Sequence, residues 1–445
     1  MVDRSADTMQ SAGPAAPSQA GPAALCGEGR YRRYDEGCGL GAVGSGSYGR
    51  VYIGHDLVLG TVCALKRQEK RTPATSRELA FYKSMSQFPH PNVMALLDHF
   101  TTPSYLYMVF ELMDIDLWSM WQKSRKLLPP HKALRFLRHL VEGVAHLHML
   151  SIVHTDLSMA NMLIGQPASS QGAFELRGPV LRITDLGGAA SAHAMVLCPK
   201  DEITTEYCRA PEIFLGARTF SSAVDVWAVG IAGMALLCGS TIFWRQEHYE
   251  EDRPGFVPRG ASKDGAISIL KNQVAALGSI DGDAWSFYQG LPRWSKFAEI
   301  LAQPGQYRDL AQALADPHLV RRPLDSCGPA AALLSGFLRW LPDGRCTARA
   351  SLASDIFASE ALRPSRLAAA LVKSATLESL QVLVLRSWWR GLPIELEDLP
   401  PLPAWSQSPP ALESAASPLS CAQGSAAADS VLTCAALLIS KAGRA

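Results

Sequence analysis

The sequence contains no paired-cysteine motif. Its ten cysteines are scattered, with no CxxC pair and no Cys/His cluster at metal-ligand spacing. That excludes a metal-finger or dithiol reading and points to buried or free thiols in a reducing compartment. Charge of one sign is also missing, with 42 Lys+Arg against 41 Asp+Glu. No net field draws such a chain to nucleic acid or to a membrane surface, and neither is expected as a partner. No apolar run reaches the ~20 residues that cross a bilayer. The run 431–439 is apolar but far too short. The N-terminus lacks a basic segment followed by an apolar core and carries Asp3 and Asp7, so no secretory leader is expected. Cytoplasm, nucleus or both are the expected locations.

The 445 residues are 48% hydrophobic, enough for a large core with tails. Residues 1–33 are rich in Ala, Gly and Pro and read as a disordered extension. Residues 34–362 are dense and apolar. Strand-like runs come first, at 50–55, 61–67 and 105–112, interrupted by one helical segment at 75–87. The pattern then turns helical. Residues 133–150 carry Leu134, Leu137, Leu140, Val141, Val144 and Leu147 at helical spacing. Residues 222–238 are apolar nearly all round, as a central core helix would be. The expected class is α+β, with a small strand-rich lobe holding one helix, a larger helical lobe, and a ligand cleft between them. Two stretches, 166–178 and 244–265, read as insertions. Residues 363–445 read as a C-terminal extension with one helix at 367–389, followed by a Pro/Ser/Ala-rich tail. There is no internal repeat.

Gly44-Ser45-Gly46-Ser47-Tyr48-Gly49-Arg50-Val51 fits G-x-G-x-x-G-x-V. Glycines let a backbone come close to phosphates and present its N–H groups. By itself the motif also suits a dinucleotide fingerprint or a plain glycine-rich turn. The next residues narrow the choice. A strand-like run stands where a dinucleotide site needs a helix, and then comes Cys63-Ala64-Leu65-Lys66, similar to V-A-I-K. Glu78 on the small-lobe helix is the carboxylate that can hold Lys66. Farther on, His154-Thr155-Asp156-Leu157-Ser158-Met159-Ala160-Asn161 resembles H-R-D-L-x-x-x-N, and Thr184-Asp185-Leu186-Gly187 resembles D-F-G.

In this order the motifs resemble the eukaryotic protein kinase superfamily, serine/threonine type, across residues 34–362. Residues 34–113 correspond to the N-lobe and hinge, and 114–362 to the C-lobe. The resemblance implies the bilobal kinase fold, with the N-lobe helix regulatory, and transfer of the γ-phosphoryl group of ATP, with Mg2+, to protein substrates. It makes Asp156 the group that takes the proton of the substrate hydroxyl. Asn161 and Asp185 become the magnesium ligands, and Lys66 with Glu78 the phosphate-binding pair. Val43, Gly44, Gly46 and Gly49 would cover the phosphates. Val51, Ala64 and Leu163 would sandwich adenine, Phe110 would close the back of its pocket, and Glu111 and Met113 would offer hinge backbone groups. Ala210-Pro211-Glu212 with Arg345 resembles the family's activation-segment ion pair, and Asp225 the aspartate that braces the catalytic loop. Thr205 matches the threonine that contacts the catalytic aspartate, and Tyr207 a packed aromatic.

Cys208-Arg209-Ala210-Pro211-Glu212-Ile213-Phe214-Leu215-Gly216 is similar to the Y-R-A-P-E-I-x-L-G of the cyclin-dependent, mitogen-activated, glycogen-synthase and cyclin-dependent-like group. The SR-protein and LAMMER kinases resemble the chain at His154-Thr155-Asp156 and Asp185-Leu186-Gly187. The group implies proline after the target residue, and Ser408-Pro409 and Ser417-Pro418 would then be self-substrates. A cyclin-like regulatory partner stays open, although the stretch from Lys66 to Glu78 is short for a cyclin-binding helix. The chain departs from the family twice. Thr155 stands where an arginine binds an activation-loop phosphate, so activity is expected not to need one. Ser158 stands where a lysine touches the γ-phosphate, so either turnover is slow or a lysine or arginine from elsewhere reaches in. A nucleotide-binding pseudokinase or scaffold is the alternative reading, and a small-molecule kinase of related fold is a third.

Overall fold

The computed structural model describes residues 24–34, 42–46, 49–70, 73–165, 178–192, 205–244, 263–280 and 282–357. All belong to the first of two compact units, Met1–Pro364. The anticipated C-terminal helix, the Ser-Pro sites and most of both insertions lie outside the described residues.

The N-terminal half is built on strands β1 (Ala24–Cys26), β2 (Tyr31–Arg33), β3 (Ala42–Gly46), β4 (Gly49–Asp56) and β5 (Thr61–Glu69). Helix α1 (Pro73–Met85) comes next, then β6 (Asp98–Thr101) and β7 (Tyr105–Glu111). The strands form one seven-stranded sheet in the order β1-β2-β4-β5-β7-β6, with β3 also on β4. The β4–β5 turn is set locally. Asp56 Oδ1 accepts the Val58 and Leu59 N–H groups at 2.9 and 3.1 Å, and Gly60 takes the left-handed conformation, φ +67°.

This sheet corrects one expectation. Residues 1–33 read as a disordered extension in sequence, yet β1 and β2 already belong to the sheet, paired antiparallel from Ala24↔Arg33 to Cys26↔Tyr31. Tyr31 is fully buried there, stacked on Phe100 at 5.4 Å, with its hydroxyl donating to Asp98 at 2.6 Å. Three-residue strands inside Gly-rich sequence are too short to show a period.

Register separates the two faces of the sheet, because directly paired residues point the same way. Tyr52↔Leu65 and Leu65↔Val109 place Tyr52, Leu65 and Val109 on one face. With Tyr31, Cys63 and Tyr107 they form a small core of their own. Val51↔Lys66, Lys66↔Met108 and Ala64↔Phe110 occupy the other face, toward the main core.

The larger half starts at β8 (Ile115–Asp116) and α2 (Leu117–Lys123), followed by α3 (Pro130–Met149) and β9 (Ile152–Val153). Then come β10 (Met162–Gly165), β11 (Val180–Ile183), β12 (Ala190–Ser191), α4 (Pro211–Phe214) and α5 (Ala223–Cys238). Helices α6 (Lys263–Leu277), α7 (Gly282–Gln289), α8 (Trp294–Leu301), α9 (Leu310–Ala315), α10 (Pro329–Phe337) and α11 (Ala348–Ser351) complete it. Pro130 opens α3, where its missing N–H costs nothing. All residues of α5 are buried, and Gly239 ends it at φ +67°. The lobes of the expected α+β architecture are both present. No helix among the described residues is long and apolar enough to cross a membrane.

Helix α3 packs on β11, and there His139 Nδ1 accepts the Leu181 N–H at 3.3 Å. Burial first, then Arg135 and Arg138, push its imidazole pKa down to about 4. Burial and His146 push His90 to about 4 as well. Both rings are neutral in the fold, whereas in the unfolded chain they charge below about pH 6.5. Between about pH 6.5 and 4 the unfolded chain therefore binds more protons, and stability falls as pH is lowered through that window. Melting temperatures across that range should fall with pH, and His139→Gln should fall less steeply. A variant slope equal to wild type would contradict this.

Candidate active site

The face of the sheet toward the main core carries Val51, Ala64, Lys66 and Phe110 in register. Gly44↔Val51 and Gly46↔Gly49 make the β3–β4 hairpin a glycine-edged flap, and Val43 sits where its register shifts. Gly49 has φ +148°, and a Cβ there would fall on the Arg67 carbonyl. Only glycine suits that position. Val51 is partly buried against the core, and Ala64 and Phe110 are buried.

At the centre, Lys66 Nζ donates to Glu78 Oε1 at 2.6 Å and to Asp185 Oδ1 at 2.8 Å. Burial pulls the Lys66 ammonium toward neutrality, but the Asp185 and Glu78 carboxylates outweigh it and hold its pKa above the ordinary value. Burial likewise lifts Asp185, yet the Lys66 ammonium wins and keeps that carboxyl below its usual range. For Glu78 burial prevails and the pKa is raised. Glu78 has a second donor, Gln68 Nε2, at 2.6 Å to its Oε2. Thr75 Oγ1 donates to the Glu69 carbonyl at 3.0 Å, so the start of α1 is tied to β5 as well.

Below the cleft, the segment between β9 and β10 is pinned by a buried carboxylate. Asp225 on α5 accepts the N–H groups of His154 and Thr155 at 2.8 and 2.9 Å and pairs with His148 Nε2 at 2.9 Å. Asn161 Nδ2 donates to the Asp156 carbonyl at 2.8 Å, which turns its Oδ1 away from that bond. Asp156 Oδ1 accepts both the N–H and the hydroxyl of Thr205, at 2.8 and 2.9 Å. Tyr207, Trp118 and Trp244 pack mutually in one aromatic cluster. Thr155 is buried at φ +69° and donates its hydroxyl to the Gly188 carbonyl at 2.8 Å. With the β9–β12 pairing it fixes the start of the activation segment.

Glu111 ends β7, Met113 lies in the connection to β8, and Leu163 on β10 is partly buried. Sequence reasoning missed the support of this hinge. Arg182 pairs with Leu163 across β10–β11. Its guanidinium forms a salt bridge to Glu111, reaches Met113 Sδ at 3.7 Å and donates from Nε to the Pro91 carbonyl at 3.2 Å. One arginine ties strand, hinge and the loop after α1. An arginine in a strand-like run gives no such signal in sequence. Hydrogen bonds thus bring Lys66 to Glu78, 12 positions away, and to Asp185, and they bring Asn161 and Thr205 to Asp156.

The protein kinase domain family matches residues 39–357. The chain belongs to that family. It is a protein serine/threonine kinase. Cell division control protein 2 homolog 3 of Trypanosoma brucei brucei is 28% identical over 333 residues, which cover 73% of this chain and 90% of the relative. Among solved structures, a chain from the yeast RNA Pol II CTD kinase CTDK-1 complex matches with a TM-score of 0.55 and 20% identity. The match covers 71% of this kinase and 94% of that chain, and it shows the shared fold.

Proposed function

We propose that this kinase uses ATP and magnesium and transfers the γ-phosphoryl group to serine and threonine hydroxyls of proteins. One observation carries the reading: Lys66 bridges Glu78 and Asp185 above a catalytic loop whose Asp156 and Asn161 are already set. Lys66 would neutralise phosphate oxygens, and Val51, Ala64 and Leu163 would enclose adenine, with Phe110 behind it. The β3–β4 flap would lie over the phosphates. The Asp185 carboxylate and the Asn161 amide oxygen are hard oxygen donors of the kind Mg2+ prefers. Bound there, the ion would offset charge between the β- and γ-phosphates. Asp156 would orient the substrate hydroxyl and take its proton.

Protein rather than small-molecule substrates are supported by the activation-segment end. Glu212 is held by Arg345, and Thr205 is fixed on Asp156. The proline-directed form of the reading is supported by Arg209 within Cys208-Arg209-Ala210-Pro211-Glu212-Ile213-Phe214-Leu215-Gly216, through the resemblance of that stretch to the proline-directed group. The Gln68 and Thr75 bonds help to seat α1 with Glu78 toward Lys66, on the helix that a cyclin-like regulatory partner would contact. The test is transfer from labelled ATP with magnesium to a peptide library by the purified chain alone, with Asp156→Asn as control.

Thr155 bears on regulation. Its hydroxyl is already committed to the Gly188 carbonyl, and it carries no charge for a phosphate. Phosphatase treatment of the active kinase should leave kcat unchanged within about twofold, within the scatter of a routine assay. Activity lost with a phosphate mapped between Asp185 and Glu212 would overturn this.

A further inference from the structure

Tyr82 lies on α1 one turn after Glu78, so the two side chains share a face of the helix. Glu78 acts through Lys66, whereas Tyr82 reaches the same aspartate by another route. Its hydroxyl accepts the Asp185 N–H at 3.1 Å and lies 3.5 Å from Thr184 Oγ1. Its ring is buried and tilted against Phe110 at 4.9 Å. A phenylalanine would fill that space equally well, so packing does not call for the hydroxyl.

The backbone that the hydroxyl holds is an unusual one. Asp185 sits at φ +67°, in the left-handed region that a non-glycine residue occupies only when its surroundings insist. Strand β11 has ended at Ile183, so no ladder partner fixes the next residues. The His154 ring meets the Thr184 carbonyl at 3.0 Å from below, and Thr184 donates its N–H to the Asn161 carbonyl at 3.0 Å. Those contacts hold Thr184, and the contact on the Asp185 amide comes from Tyr82.

We propose that Tyr82 is a positioning residue for phosphoryl transfer. Its hydroxyl holds the Asp185 backbone in the left-handed turn that aims the carboxylate at Lys66 and at the magnesium site. It thereby couples the seat of α1 to that carboxylate independently of the Lys66 bridge. The cation in this statement rests on the function proposed above.

The test uses the full chain and the variant Tyr82→Phe. One neutral hydrogen bond sets the scale, so the magnesium concentration for half-maximal binding of a non-hydrolysable ATP analogue should rise about three- to tenfold. At saturating magnesium, KM for ATP should change less than about twofold while kcat falls by about three- to tenfold. Thr184→Ala removes the neighbouring hydroxyl and leaves the amide contact, and it should behave as wild type. Hydrogen exchange at the Asp185 amide should be protected in wild type and faster in Tyr82→Phe. A wild-type magnesium midpoint and kcat in Tyr82→Phe would overturn the proposal. So would equal losses in Thr184→Ala, or an unprotected Asp185 amide in wild type, a reading that needs no variant to fold. Magnesium-dependent analogue binding without transfer by wild type would sink the proposed activity alone, and the midpoint shift would still decide the role of Tyr82.

Discussion

Asp156→Asn lowers kcat by about 10²- to 10⁴-fold, the usual contribution of a positioned proton acceptor, while leaving ATP and peptide KM near wild type. The shape of the site is preserved in this variant. Thr205 donates its N–H and hydroxyl to Asp156 Oδ1, and an asparagine oxygen can accept both. The Asp156 carbonyl still receives Asn161 Nδ2, because that contact is to backbone. The variant loses the capacity to take a proton from the attacking hydroxyl, since an amide nitrogen already carries two. Loss in kcat with intact binding is therefore the signature, read from initial rates with labelled ATP, magnesium and peptide. Equal rates for wild type and Asp156→Asn would favour a nucleotide-binding pseudokinase. Ser158 sets the background of the measurement. It is buried, its carbonyl accepts the Asn161 N–H at 2.9 Å, and it adds no charge beside the transferred group. A low absolute wild-type rate is thus compatible with a large ratio between the two proteins.

Parts of this site were legible in sequence because the chemistry tolerates few substitutes. Lys66, Asp156, Asn161 and Asp185 are chemically distinct residues at spacings set by turns and strand ends, and the spacing survives however the lobes pack. The core helix α5 was legible for another reason: a run apolar on every side has nowhere to go but the interior. Tyr82, Gln68 and Arg182 were not legible. Two of them act across long sequence separations, 103 positions for Tyr82 to Asp185 and 71 for Arg182 to Glu111. A tyrosine on a helix face or a glutamine in a strand reads as ordinary packing until its partner is in place. The strands before Tyr34 were hidden by their length. Three residues cannot display alternation, and their place in the sheet is set by Tyr31 and its contacts with Phe100 and Asp98.

Arg345→Ala produces the largest loss of stability, about 3–5 kcal/mol, because it strands a charge in the interior. The Arg345 side chain is fully buried and that of Glu212 nearly so. The two meet in a bidentate pair with both N···O distances 2.7 Å. The same guanidinium donates to the carbonyls of Ala223, Trp340 and Arg339 and lies over the Trp227 ring at 4.8 Å. Burial works against its charge, and Glu212 more than compensates. Truncation leaves Glu212 without that partner and removes a donor from three carbonyls. Against a total stability of about 5–15 kcal/mol for a typical domain, this is a large fraction. Arg345→Lys keeps the charge but loses the fork and should fall between wild type and Arg345→Ala. The double variant Glu212→Gln/Arg345→Met leaves no orphan charge and should be more stable than Arg345→Ala, which denaturant titration of all four proteins would read directly. Activity should fall with stability in Arg345→Ala. Glu212 closes the activation segment, and Ala223 opens the helix whose Asp225 holds His154 and Thr155. A loosened pair would reach Asp156 through that helix, two residues from the backbone amide that Asp225 binds first. An Arg345→Ala protein with wild-type stability would show that the fold does not depend on this pair.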